Sequence, residues 1–178
     1  MHKEKEITEN CIYEGRIFTV KTHEVEQESG RRARRDVVYH HGGACVLALD
    51  ENENIFFVRQ YRFPIRDELL ELPAGKLEKD EDPMEAAARE LEEETGYKAQ
   101  NIKKLCEMIP TCGYSSEIIH IYVAKDLVKT SQNLDEGEFL DVEKYPFEEA
   151  LQMVLSGKIK DGKTQTGILM YNALRKRN

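Results

Sequence analysis

The sequence predicts an α/β fold, an α/β/α sandwich around a mixed sheet with an antiparallel β extension ahead of it. Three observations carry that reading. Strand-like and helix-like segments are mixed without a strict βαβ alternation, which favours a mixed sheet between helices over a doubly wound parallel one. The first forty residues read as extended chain. A sharply bounded acidic helix lies near the middle of the chain.

The extension spans residues 1–41. Residues 16–27 carry Phe18, Val20 and Val25, Glu28-Ser29-Gly30 is a turn signal, and 36–41 reads as a second strand. A hairpin of this size is marginal alone, so it packs on the core or on a second subunit. The main domain spans 42–178. Strands are expected at 44–49 and 55–61, separated by the polar turn 50–54, and at 68–72 before Pro73-Ala74-Gly75. A helix follows at 83–95, then strands at 103–108 and 118–124, a polar loop at 126–137 and a short strand at 138–142. Helices at about 146–156, stopped by Gly157, and at 164–176 complete the chain.

With 178 residues, 40% hydrophobic and 34% charged, the chain is expected to form one domain with a small appended piece. No apolar run approaches the ~20 residues that span a bilayer, and MHKEKEITEN has no signal-type hydrophobic segment, so a cytoplasmic protein without membrane partners is expected. Cys11, Cys45, Cys106 and Cys112 form no Cys-x-x-Cys pair, which speaks against a zinc ribbon and for reduced thiols. The net charge of −8 argues against general nucleic-acid binding. Arg31, Arg32 and Arg34 therefore read as a solvated hairpin tip.

That charge is concentrated. Between Glu78 and Glu94 nine acids face only Lys79 and Arg89, a local charge of −7. The helix there is well specified. Asp82 is placed to cap it, Pro83 takes the first helical position, Glu85 stands three residues after the cap, and Gly96 is a suitable stop. Met84, Ala87, Ala88 and Leu91 would form the apolar stripe. Glu90, Glu93 and Glu94 share another face, where like charges repel by a few tenths of a kcal/mol per pair. Glu92, Glu93 and Glu94 also crowd the helix C-terminus, against its dipole. Arg89 can pair with Glu93 but cannot neutralise the group. Divalent cations would remove the penalty, and hard ions such as Mg²⁺ or Mn²⁺ prefer carboxylate oxygens. A solvated acidic face is the alternative.

The flanking residues decide between them. Gly75-x5-Glu81-x7-Arg89-Glu90-Leu91-x-Glu93-Glu94-x-Gly96 resembles the signature of the Nudix hydrolases, with seven polar or glycine identities over 22 residues. Tyr97 departs mildly, standing where that pattern has an aliphatic residue. The resemblance implies a loop–helix–loop on an α/β/α sandwich, with Glu90 and Glu94 as principal metal ligands and Glu93 as a further ligand or a partner that orients the ligands. It also implies that Arg89 orients the glutamates, that Glu81 braces the loop or reaches metal through water, and that the Ala74 carbonyl binds metal.

Three further stretches resemble the ADP-ribose pyrophosphatase branch of that family: Leu72-Pro73-Ala74-Gly75-Lys76-Leu77-Glu78, Val58-Arg59-Gln60-Tyr61-Arg62 and Leu134-Asp135-Glu136-Gly137-Glu138. What this implies is hydrolysis of ADP-ribose to AMP and ribose 5-phosphate. Cations would activate the attacking water and clamp the phosphates, and a carboxylate would take the proton. By the same resemblance that base is Glu136, with Glu93 competing, and Glu138 is an extra metal ligand. Arg35 and Arg62 match positions that hold phosphates or the terminal ribose, as a planar guanidinium can. Phe18 is a candidate to stack on adenine, or an ordinary strand aromatic. Glu117 matches a position near the substrate or metal, and Gly113, in the same loop, is a further substrate-binding candidate. The branch also implies a homodimer that exchanges its N-terminal strands, each pocket using both subunits.

The pattern breaks at Pro110-Thr111-Cys112-Gly113, where the branch has Ser-Pro-Gly. Pro110 restricts its own and the preceding backbone angles, so other nucleoside diphosphate sugars and diadenosine polyphosphates stay open as substrates. A non-catalytic nucleotide-sugar sensor is the reading of another class. Retention of Glu90, Glu93 and Glu94 argues against it.

Overall fold

A computed structural model of the chain describes residues 2–176. They divide into two compact units, residues 2–42 with Ile109–Ile118, and Gly43–Met108 with the chain from Ile119 onward.

The first unit is an antiparallel sheet of β1 (Glu4–Glu14), β2 (Phe18–Gln27) and β3 (Arg32–His40), in that order. Gly30 takes a φ of 78° at the β2–β3 turn, and its N–H bonds the Gln27 carbonyl at 2.8 Å. Positive φ is the conformation that glycine adopts without steric cost. Val25 and His23 point to the covered face of the middle strand and are buried. The two-strand hairpin expected from the sequence is thus three strands. β1 escaped because its residues are exposed throughout, so burial imposes no alternation on them. Ile109–Ile118 joins this unit by backbone bonds: Val38 N–H to the Tyr114 carbonyl at 2.7 Å, and Ser116 N–H to the Val38 carbonyl at 3.0 Å.

The second unit is centred on β4 (Gly43–Ala48). It pairs in parallel with β9 (Ile119–Lys129) and antiparallel with β7 (Ala74–Lys76), and β8 (Tyr97–Met108) closes the far edge. A second, antiparallel sheet orders β10 (Leu140–Pro146), β5 (Asn54–Arg62) and β6 (Asp67–Glu71). The helices are α1 (Pro83–Thr95), α2 (Phe147–Leu155) and α3 (Gly162–Arg175).

Every residue of β4 is buried, which explains its unbroken apolar run: a central strand covered on both faces has no polar side. Its alternate residues enter two cores. Cys45 and Leu47 pack with Phe147, Leu151, Ile159 and Ile168 from the α2–α3 side. Ala44, Val46 and Ala48 pack with Ala86, Ala87 and Leu91 of α1. One helix layer lies on each face of the mixed sheet, as the sequence predicts.

β8 begins directly after Gly96, well ahead of the strand expected at 103–108, and β9 runs to Lys129 instead of ending at 124. Residues 97–102 read as loop because Lys98, Gln100 and Asn101 are polar. An edge strand tolerates that, while Tyr97, Ala99 and Ile102 pack against the α1 core. No helix is long and apolar enough to cross a membrane among the described residues.

Candidate active site

α1 forms where its caps specify. The Asp82 carboxylate accepts the N–H groups of Met84 at 2.8 Å and Glu85 at 3.3 Å. Gly96 ends the helix in the left-handed region, φ 70°, its N–H returning to the Glu92 carbonyl at 2.9 Å. Glu85, at the third position, is exposed. The buried stripe is Ala86, Ala87 and Leu91, continued by Glu94, whereas the expected member Met84 is 44% exposed. The helix is turned so that a carboxylate faces inward. The reason lies outside the helix: Glu94 Oε2 accepts the Ala74 N–H at 2.9 Å.

Glu94 is 2% exposed, and its pKa is pushed up to about 8. Burial is the main cause. The Ala74 N–H works against it, and the nearby charges of Glu90 and Glu138 add to it. Glu90 is also raised, first by burial and, less, by Glu93 and Glu138, against the pull of Arg89. These acids therefore sit in a position that disfavours their charge.

Gly75 explains how Glu90 fits. A Cβ there would lie 1.8 Å from Glu90 Oε1, so the carboxylate occupies the space a side chain would need. Arg89 gathers the remaining acids. Its Nε and Nη2 bind Glu81 at 3.0 and 3.2 Å, and its Nη1 binds Glu90 at 2.8 Å and Glu93 at 2.9 Å. Glu81 also accepts the Glu78 N–H at 2.9 Å, and Arg89 holds its carboxyl below the usual range.

The loop after β9 is tied to the end of α1, where helix carbonyls otherwise lack donors. Thr130 N–H bonds Gly96 O at 2.7 Å, Asn133 N–H bonds Glu93 O at 2.9 Å, and Gln132 Nε2 bonds Glu94 O at 2.7 Å. This loop carries Glu136 and Glu138. Glu138 is close enough to raise both Glu90 and Glu94 and meets Gln60 Nε2 at 3.4 Å. Glu136 is exposed on the same loop.

Arg62 is engaged bidentately by Glu71, at 2.6 and 2.8 Å. The other expected substrate residues lie in the first unit. Arg35 pairs with Glu4. Phe18 is 40% exposed, its ring centroid 5.8 Å from that of Tyr13. Gly113 is exposed, with open space around it. Glu117 lies 3.7 Å from His40 Nδ1.

The donor set around α1 fits a hard divalent cation: the carboxylate oxygens of Glu90, Glu93 and Glu94, of which Glu90 and Glu94 are destabilised as anions. Among the described residues, the one group of possible ligands whose atoms all lie within 4.8 Å is instead Glu6, Glu9 and His23 in the first unit. There both His23 nitrogens are already used, by Glu6 at 2.8 Å and by the Tyr39 hydroxyl at 3.0 Å.

Sequence reasoning missed the buried polar set behind Ala74. Glu71 is 1% exposed and shared by Arg62 and Lys163. Lys163 also pairs with Asp161 at 3.1 Å. Burial opposes its charge, but Asp161 and Glu71 prevail and raise its pKa. The one signal was Asp161-Gly162-Lys163-Thr164, which reads as an ordinary helix start: Asp161 does cap α3 through the Thr164 N–H at 3.0 Å.

A NUDIX domain profile matches residues 39–164. The chain is 41% identical over 166 residues to a methanol dehydrogenase activator of Bacillus methanolicus, covering 92% of this chain and 90% of that protein. It is 38% identical over 168 residues to an ADP-ribose pyrophosphatase of Bacillus subtilis, covering 93% and 91%. A crystal structure of an ADP compounds hydrolase superposes with a TM-score of 0.85 at 22% identity, over 98% of this chain and 95% of the other.

Proposed function

This chain belongs to the Nudix hydrolase family, whose members hydrolyse pyrophosphate bonds, and from that premise we propose that it is a Mg²⁺-dependent enzyme cleaving ADP-ribose to AMP and ribose 5-phosphate. One observation carries the metal site: the buried Glu94 carboxylate, held by the Ala74 N–H beside Glu90 and strained toward its neutral form.

In this reading Glu90, Glu94 and the Ala74 carbonyl hold the cation, Mg²⁺ or Mn²⁺, with Glu93, Glu81 and Glu138 completing or bracing the site. A divalent cation there supplies positive charge to the phosphate oxygens and eases deprotonation of water. Arg89 fixes the directions of Glu81, Glu90 and Glu93 with its planar fork. Water oxygen attacks one phosphorus, the bridging P–O bond breaks, and Glu136 takes the water proton, with Glu93 the competing base. Glu136 suits that task because it is exposed on a loop anchored to α1. Arg35, Arg62, Phe18, Gly113 and Glu117 are assigned to the substrate. A homodimer is proposed because β1 is an edge strand exposed along its whole length, with Ile7, Ile12 and Tyr13 uncovered.

Another nucleoside diphosphate sugar is the second reading. It is favoured by Pro110-Thr111-Cys112-Gly113, which forms a turn closed by Ser115 N–H on the Thr111 carbonyl at 3.0 Å. The test is a substrate panel with Mg²⁺, Mn²⁺ or EDTA, phosphate being released by a coupled phosphatase. It compares ADP-ribose, ADP-, GDP- and UDP-sugars, NADH and diadenosine polyphosphates. The expected result is the highest kcat/KM on ADP-ribose, abolished by EDTA. Cleavage that EDTA leaves untouched, or turnover of none of these compounds, refutes the proposal.

A further inference from the structure

We infer that Lys163 is a positioning residue for the cation site, acting through Glu71 and Thr164 on the Ala74 peptide and thereby on Glu94. The inference rests on the assignment of Ala74, Glu90 and Glu94 to that site.

The side chain of Lys163 is 11% exposed and that of Glu71 2%. Replacing buried ion pairs by apolar residues of similar volume is often neutral or stabilising, so stability alone gives no reason to bury this set. Its location does. Lys163 joins Glu71, at the end of β6, to Asp161, at the cap of α3. Asp161 Oδ2 accepts the Thr164 hydroxyl at 2.6 Å, and Thr164 Oγ1 in turn accepts the Leu72 N–H at 2.8 Å.

Four successive residues are consequently tied one by one. The Glu71 carboxylate is held by Arg62 and Lys163, the Leu72 N–H by Thr164, the Pro73 carbonyl by Val46 N–H at 2.9 Å, and the Ala74 N–H by Glu94 at 2.9 Å. The next residue is Gly75, against which Glu90 lies. The strand exit from Glu71 to Ala74 is thus held at each residue, and α3 fixes its beginning through the Leu72 N–H, two residues ahead of Ala74. Outer partners of this kind direct metal ligands without touching the metal.

The test measures Mn²⁺ binding by electron paramagnetic resonance in the full-length protein, with and without ADP-ribose, alongside thermal melting. Lys163→Met removes the charge at similar length. Thr164→Val removes one hydroxyl. Leu151→Ala, a core truncation in α2, serves as a control that lowers stability without touching the chain of contacts. Lys163→Met and Thr164→Val are each expected to weaken Mn²⁺ binding about tenfold, while Leu151→Ala melts lower and binds as the unaltered protein does. Unaltered affinity in Lys163→Met overturns the inference, as does equal weakening in Leu151→Ala. If Lys163→Met does not fold, Lys163→Gln, which keeps a hydrogen-bond donor without the charge, decides. An unaltered chain that binds no Mn²⁺, alone or with nucleotide, overturns the cation site itself and this inference with it.

Discussion

In EDTA at about pH 8.5, Glu94→Gln is expected to melt at a higher temperature than the unaltered chain, because linkage penalises the native carboxylate there. The folded carboxyl titrates near 8, against 4.5 for a free one, chiefly because it is buried. Below pH 4.5 both the folded and the unfolded chain carry the proton. Between 4.5 and about 8 the folded chain keeps a proton that the unfolded chain has lost, so stability falls as pH rises. At about 1.4 kcal/mol per pH unit the rigid limit is roughly 4–5 kcal/mol, and relaxation with water entry brings a realistic figure to about 2–3 kcal/mol. Glutamine has the shape of the protonated acid and can still accept the Ala74 N–H, but it does not ionise. The melting temperature of Glu94→Gln should therefore exceed that of the unaltered protein by roughly 4–12 °C at high pH, and the gap should close toward pH 5. Thermal unfolding across that pH range is the assay. Added Mg²⁺ should reverse the order, stabilising the unaltered chain alone. A gap independent of pH, or a Glu94→Gln protein less stable at every pH, refutes the assignment of strain to Glu94.

Gly75→Ala should fold normally, since the obstructing atom is the flexible end of Glu90. Displacing that carboxylate should lower kcat by about a hundredfold, which steady-state kinetics would show. Arg89→Lys keeps the charge but loses the fork that serves Glu81, Glu90 and Glu93 together. About a tenfold rise in the Mg²⁺ concentration for half-maximal rate is expected, with a near-normal circular dichroism spectrum. Light scattering at micromolar protein should give twice the 20.6 kDa chain mass, and a monomer there would count against the exposed β1 edge as a subunit interface.

The parts of the site legible in the sequence are those whose determinants are local. Asp82, Pro83 and Gly96 bound α1 within a few residues of where they act, and Arg89 reaches Glu93 one turn on. The inward turn of Glu94 was not legible, because its partner is the Ala74 backbone, an amide with no side-chain signature. Lys163 and Glu71 meet only after the chain has gone around the mixed sheet, and each looks like an ordinary surface charge in its own neighbourhood. β1 stayed hidden for the opposite reason: with all its residues exposed, no apolar rhythm marks it. The parallel core strand at 44–48 was easy, since burial on both faces leaves an apolar run.

The pairing of β4 with β9 has a consequence for synthesis. Gly43 lies beside Ile119 in the finished sheet, and no hairpin can bring two parallel neighbours together. A ribosome must therefore release α1 and the four intervening strands before the centre of the sheet can close, and closing so distant a contact is slow. In that interval the β9 edge of Gly43–Ala48 is unpaired and its face toward α2 and α3 is uncovered, which leaves it open to association with other nascent chains. Expression at lower temperature, or with chaperones that hold apolar segments, should raise the yield of folded protein by shielding that one strand until its partner emerges.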